Sequence, residues 1–97
     1  MAEKILMSPE KMRSRAATYD QKRSDVENII SAMTRLVNEL QEEWKGEGST
    51  AYAARYNELK PSFDKMAELI GEIAKSLRDS AQYMEDADAK IAAAYRG

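Results

Sequence analysis

Apolar residues recur along this chain in two long stretches, each with the spacing of an amphipathic helix. The first stretch advances from Met12 by alternating steps of four and three residues, through Ala16, Tyr19, Arg23, Val26, Ile30, Met33, Val37, Leu40 and Trp44. Arg23 is its only charged member, and positions on the opposite side, such as Gln21 and Asn28, are polar. This pattern predicts one long helix with a single apolar stripe.

The start of this first helix is marked by Ser8-Pro9-Glu10. A serine can cap a free backbone N–H, a proline has no N–H to leave unpaired, and a glutamate suits the positive end of the helix dipole. Helix one is therefore predicted over about residues 8–44.

The second stretch begins at Tyr52 and keeps the same stepping through Tyr56, Leu59, Phe63, Met66, Ile70, Ile73, Leu77, Ser80, Met84, Ala87, Ile91 and Ala94. It predicts helix two over about residues 51–94. Pro61 lies within it and removes one helical hydrogen bond, which predicts a kink. A separate short helix ending near Lys60 is the alternative.

Residues 45–50 separate the two helices and contain Gly46 and Gly48, a glycine stop followed by Ser and Thr caps. So short a loop forces the helices to lie antiparallel. The prediction is an all-α fold, with residues 1–97 forming one helical hairpin domain whose turn carries Trp44-Lys45-Gly46 and whose tail is residues 84–97.

A lone helical hairpin cannot enclose a core, because each helix covers only one side of the other. Packing against a second hairpin would complete a four-helix bundle, and one sequence suffices for both, so we predict a homodimer. The interface is expected to contain Ile29, Ile30, Met33, Leu36, Val37, Leu40, Phe63, Met66, Leu69, Ile70 and Ile73.

The C-terminal part of helix two is predicted to extend beyond the start of helix one. Its apolar residues, Ile91 and Tyr95 among them, then need cover from elsewhere. Residues 1–7 could provide that cover, or the tail could be frayed or dock on a partner.

Composition removes most functional classes. The 97 residues include no cysteine and no histidine, which excludes disulfides, Cys or Ser–His catalysis and imidazole-dependent metal sites, so we expect neither a cofactor nor a metal. Glutamates cluster near the turn without a cleft, and no enzyme activity is expected. The 15 Lys and Arg against 17 Asp and Glu show no basic patch for nucleic acid or membrane.

The first seven residues lack the apolar core and cleavage site of a signal peptide. Export, if it occurs, is therefore expected to bypass the general secretory route. The sole tryptophan, Trp44, is expected to close the last core layer while Gly46 ends the helix, and its position at the tip also suits docking to a partner.

A chain of about this length, with Trp-x-Gly at the turn between two heptad-patterned helices, resembles the WXG family of Esx, or early-secreted-antigen-like, substrates of type VII secretion. The family's C-terminal export pattern, Tyr followed four positions later by Asp or Glu, is absent in its strict form, since Ala87 follows Tyr83 at that offset. A broader family pattern is matched by Met84, Asp88, Ile91 and Tyr95.

The resemblance implies a non-enzymatic protein of Gram-positive bacteria, secreted as a folded dimer and present in the cytoplasm before export. It implies recognition of the tail by an FtsK/SpoIIIE-like secretion ATPase, with one chain's Trp44 and Gly46 close to the other chain's tail. A different Esx-like chain could replace the second copy. The alternative is a non-exported coiled-coil adaptor, or an escort for a larger secreted toxin.

Overall fold

The computed structural model describes residues 7–96, and over this range the fold consists of two α-helices joined by a short turn. Helix α1 spans Pro9–Glu43 and helix α2 spans Glu47–Arg96. The described part measures 76 × 31 × 16 Å, and its long dimension agrees with the ~75 Å expected for the 50 residues of α2. The predicted all-α hairpin is confirmed, and it is a flat layer of two helices.

Helix α1 begins where the chain supplies a cap. The Ser8 hydroxyl oxygen accepts the backbone N–H of Lys11 at 3.1 Å, Pro9 occupies the first turn, and Glu10 places a negative charge there. These three residues satisfy or avoid the unpaired N–H groups of a helix start and complement its dipole.

The turn is tighter than expected, because α2 begins at Glu47 and not near residue 51. The Gly46 carbonyl already accepts the Thr50 backbone N–H at 3.3 Å, which places Glu47 in the first helical turn. Pro61 does not interrupt α2, which continues through it to Arg96. The alternative of a separate short helix ending near Lys60 is therefore wrong.

Small residues of α2 fill most of the contact between the two helices. On α1 this inner seam contains Ala16, Ile30 and Val37, and on α2 it contains Ala53, Ala67, Ala74 and Ala81. The heptad that begins at Tyr52 is not the inner seam, since its members Tyr52, Met66 and Ile73 are exposed. Alanine follows each of these three residues, and a small side chain there lets the two helices approach closely.

Polar contacts set the register of the two helices. The Tyr56 hydroxyl lies 2.7 Å from the Thr34 hydroxyl and donates to the Ile30 carbonyl at 3.2 Å. Nearer the open end, Arg13 pairs with Glu85 and Arg78 with Asp20. The two ion pairs join the start of α1 to the end of α2, and the Tyr56 contacts join the end of α1 to the start of α2. This is the pairing that an antiparallel hairpin requires.

Candidate recognition site

Trp44 lies at the point where the chain leaves α1. Its backbone is extended, with φ −117° and ψ 100°, while its N–H still donates to the Leu40 carbonyl at 2.8 Å. Trp44 is 47% exposed, which is unusual for the residue with the largest apolar side chain. Trp44 therefore presents one part of its ring to the hairpin and another to solvent.

Two glycines shape this turn for different reasons. Gly46 has φ +144°, a conformation that side-chain-bearing residues rarely adopt, and the space around it is open. Gly48 is in the first turn of α2, where a Cβ atom would come within 2.4 Å of Trp44 Cζ2. The sequence analysis treated Gly48 only as a loop residue, because residues 44–46 leave the helical path and helical spacing does not describe a contact across them.

The tail is the other predicted recognition element, and it projects past α1. Arg13 pairs with Glu85, and since α1 begins only four residues before Arg13, it ends about level with residue 89. Ile91 is 57% and Tyr95 is 89% exposed. Residues 1–6, one of the expected sources of cover, lie outside the described residues.

Within this tail, Met84 and Asp88 occupy different surroundings. Met84 is half-buried toward α1, whereas Asp88 is exposed. Between them, the hydrogen bond from Arg13 lowers the pKa of Glu85 from its ordinary value and raises that of Arg13. The pair holds the base of the tail on α1 and leaves Asp88, Ile91 and Tyr95 free.

The turn and the tail are at opposite ends of the molecule. The 38 residues from Gly46 to Met84 correspond to ~57 Å of helix. One chain therefore does not bring Trp44 and Gly46 together with Met84, Asp88, Ile91 and Tyr95. A single composite site would require two chains.

One broad face of the hairpin carries large apolar side chains that stay exposed among residues 7–96. We call it the apolar face and define it by its most exposed members, Ile29, Leu36, Met66, Leu69 and Ile73, each between 44% and 58% exposed. Met33 belongs to the same face, because it lies four residues after Ile29 and three before Leu36. It lines a shallow concavity with Tyr52, Leu59 and Phe63. Of the other expected interface residues, Leu40 and Ile70 are half-buried.

Two residues expected at the dimer interface lie elsewhere. Ile30 is 6% and Val37 is 7% exposed, because both are enclosed between α1 and α2. Heptad spacing identifies residues that share a stripe, but these two are in contact with their own hairpin and have little surface left for a partner.

The opposite face is polar. A groove there is lined by Glu27, Ser31, Arg35, Lys60 and Asp64, with the edges of Ile30 and Thr34 at its base. Arg13 and Asp20 lie at seven-residue intervals before Glu27, so the ion pairs between the helices belong to this polar face. Charged side chains thus predominate on one side of the hairpin, and large apolar side chains predominate on the other.

The described residues were also compared with the requirements of a metal site and of a membrane span. Within 7–96, no three Asp or Glu side chains are grouped so that they could hold a metal ion. Neither α1 nor α2 contains an apolar stretch long enough to cross a membrane.

Comparison with known proteins agrees with this geometry. The family model WXG100, "Proteins of 100 residues with WXG", matches residues 4–89. Protein YukE of Bacillus subtilis is 35% identical over 97 residues, covering all of both chains. The type VII secretion system extracellular protein A of Staphylococcus aureus is 29% identical over 87 residues, 90% of each chain.

Solved structures show the same hairpin. Geobacillus thermodenitrificans EsxA superposes with a TM-score of 0.80 and 39% identity, covering 95% of this chain and 99% of that one. Bacillus anthracis EsxB, a secreted protein, shares the fold with a TM-score of 0.79 at 19% identity, over 91% of this chain and 99% of its own. On the full-length sequence match and the Trp-x-Gly turn between two long helices, this chain belongs to the WXG100 family.

Proposed function

We propose that this protein is a non-enzymatic substrate of a type VII secretion system, exported as a folded homodimer. The observation that carries the proposal is its likeness over nearly the whole chain to a type VII secretion system extracellular protein. That likeness supports a secreted cargo over a non-exported adaptor or a toxin escort.

The dimer is proposed from the apolar face. Monomeric soluble proteins rarely leave a contiguous apolar patch of this kind uncovered. A hairpin only 16 Å thick has no third layer, whereas a second copy laid face to face buries both patches and forms a four-helix bundle. The charged groove on the other side would stay in water.

An antiparallel arrangement of the two copies also explains where the recognition residues lie. Trp44 and Gly46 are at one end of the hairpin, and Met84, Asp88, Ile91 and Tyr95 are at the other. Reversing the second copy carries its turn toward the first copy's tail. The dimer then has two equivalent composite sites, each with an exposed indole and an exposed apolar tail.

These composite sites are the surfaces that we assign to the FtsK/SpoIIIE-like secretion ATPase. Ile91 and Tyr95 project beyond α1, and Asp88 supplies a charge beside them. Tryptophan and tyrosine are the residue types that dominate binding energy at interfaces, because they bury large areas with few rotatable bonds. The tail offers an amphipathic helix that a groove in the ATPase can accept.

Export into the culture medium tests this function. Wild-type protein, Trp44→Ala, Asp88→Ala and a truncation after Tyr83 are produced in cells that carry a type VII system and in the same cells lacking the ATPase. We expect all three variants to accumulate inside the cell and the wild type to reach the medium only when the ATPase is present. Lys45→Ala and Lys90→Ala, which change exposed neighbours of the same sites, should be exported normally.

Folding of each variant is checked by circular dichroism, so that loss of export is not confused with loss of structure. Equal export of the wild type and the three variants would overturn recognition through the turn and tail. Export that persists without the ATPase would overturn the type VII route itself.

A further inference from the structure

We propose that Gly48 is a positioning residue for Trp44, and that the recognition element at the turn is Trp44, Gly46 and Gly48 acting together. The bare backbone at position 48 forms the surface on which the indole rests. Only the export consequence of this inference depends on the proposed function.

The contact between the two residues is close and specific. A Cβ atom at Gly48 would meet three atoms of the six-membered ring of Trp44, with Cζ2 at 2.4 Å, Cη2 at 3.1 Å and Cε2 at 3.3 Å. The ring is rigid, so it cannot yield by bending one end as a lysine could. An added methyl group would force the whole indole to move by about 1 Å or more to restore ordinary carbon contacts near 3.5 Å.

This requirement differs from that at Gly46. Gly46 needs a backbone conformation, since its φ is +144° and no atom lies within 4 Å of its Cβ direction. Gly48 lies in regular helix, where alanine would ordinarily be preferred to glycine. A glycine in the first turn of a helix, against an intrinsic preference for alanine, is therefore explained by the indole that covers it.

The backbone at Gly48, which we call the seat of the indole, also explains how an exposed tryptophan is held in one orientation. The extended backbone of Trp44 ends α1, and the side chain then lies across the first turn of α2 with 47% of its surface open. Contact with the Gly48 backbone on one side restricts the ring to one rotamer. The other side of the ring remains accessible to a partner. Pre-organised aromatic side chains bind with a smaller entropic loss.

The test uses Trp44 as its own reporter, because it is the only tryptophan in the chain. Gly48→Ala should shift the emission maximum to longer wavelength and steepen quenching by acrylamide. Gly71→Ala is the matched control, since a Cβ there would also meet a side chain of α1, at 2.3 Å from Arg23 Nη1, but far from the turn. It should leave both fluorescence readings unchanged.

A second pair of variants distinguishes an effect of Gly48→Ala on the position of the indole from an effect on the stability of the whole protein. Trp44→Phe replaces the indole by a ring that lacks the Cζ2 and Cη2 positions, so adding Gly48→Ala to this background should have no further effect on export. On the wild-type background, Gly48→Ala should reduce export as Trp44→Ala does. A reduction of the same size on both backgrounds would overturn action through the indole.

A measurement on the unchanged protein covers the case in which Gly48→Ala fails to fold. In the wild type, an NMR nuclear Overhauser effect is expected between the indole proton on Cζ2 and the Gly48 α-protons. Its absence, or unchanged fluorescence in folded Gly48→Ala, would overturn the proposal. If instead the fluorescence shifts while Trp44→Ala is exported normally, the seat stands and the proposed recognition function fails.

Discussion

The two faces of this hairpin differ in what their side chains contact. On the polar face, ion pairs such as Arg13 with Glu85 and Arg78 with Asp20 join α1 to α2 within one chain. The apolar face carries large side chains, Ile29 and Leu69 among them, that are about half exposed in the described hairpin. The chain therefore closes itself on one side and is left incomplete on the other.

The same division appears in the size of the side chains on α2. The residues that α2 places against α1 include Ala67, Ala74 and Ala81, which bury little apolar area each, whereas Met66 and Ile73 lie one residue earlier and point away. Burial of apolar area is the main stabilising contribution in folding and association. Most of the apolar area that this chain can still bury is thus available to a partner.

The largest effect is expected from a charge on the apolar face. In Ile73→Glu, the face-to-face dimer would have to bury an unpaired carboxylate from each copy, which costs about 3–5 kcal/mol per buried charge. With two such carboxylates per dimer, the total loss is about 6–10 kcal/mol, which corresponds to a rise in the dimer Kd of about four to seven orders of magnitude. Sedimentation equilibrium measures the change.

Ser31→Glu places the same charge in the polar groove and serves as the control. It should leave the dimer intact, since the position stays in water. A folded wild-type monomer at micromolar concentration would contradict the assignment of the apolar face, as would equal dissociation of the two variants.

A smaller effect is expected from overfilling the inner seam. Ala74 is fully buried between the helices, so Ala74→Leu should push them apart and lower the free energy of unfolding by about 1–3 kcal/mol. Urea unfolding at one fixed protein concentration measures it, because the stability of a dimer depends on concentration. Exposed Ala54→Leu should change stability by less than about 0.5 kcal/mol, and equal losses in the two variants would show that residue 74 is not at a close contact.

The hairpin could be predicted from the sequence, because the residues that begin and end its helices act on nearby backbone. Ser8, Pro9 and Gly46 act on their own or neighbouring backbone, and the heptad pattern needs no knowledge of the partner helix. The fold class and the family likeness could both be predicted at that level.

The sequence was not sufficient for assigning residues to one face or the other. Met66 and Ala67 are neighbours in the sequence, and the heptad spacing alone does not say which of them packs against α1. The structure buries Ala67 between the helices and leaves Met66 exposed, because close approach of the helices favours alanine. A recurrence of alanine every seven residues, at 67, 74 and 81, is the signal that identifies the inner seam.

The contact between Trp44 and Gly48 depends on still more geometry. It requires the extended backbone at Trp44, the turn at Gly46 and the early start of α2, none of which a periodicity describes. Residue spacing could suggest that positions 44 and 48 are neighbours, but only the path of the turn brings the ring onto the backbone of α2.

The smallest expected effect lies in the ion pair that holds the base of the tail, and it depends on pH. The hydrogen bond from Arg13 lowers the pKa of Glu85, so the folded state favours the ionised carboxylate. Its stabilisation is fully present above the ordinary glutamate pKa of about 4.3 and is lost as the pH falls through the lowered folded value. Because both side chains are exposed, the gain is small and is best measured locally.

Amide hydrogen exchange in residues 86–96 reports on this pair. Glu85→Gln should speed exchange there at neutral pH, after correction for intrinsic rates, and the difference from wild type should disappear under acid conditions. Asp79→Asn is the control: it breaks a pair with Lys75 that lies within α2 and should leave exchange in the tail unchanged. Equal exchange in Glu85→Gln and wild type at neutral pH would mean that the tail is held by packing of Met84 and not by the charge pair that distinguishes the polar face from the apolar one. A difference that persists at low pH would mean that the substitution acts through something other than the charge of Glu85.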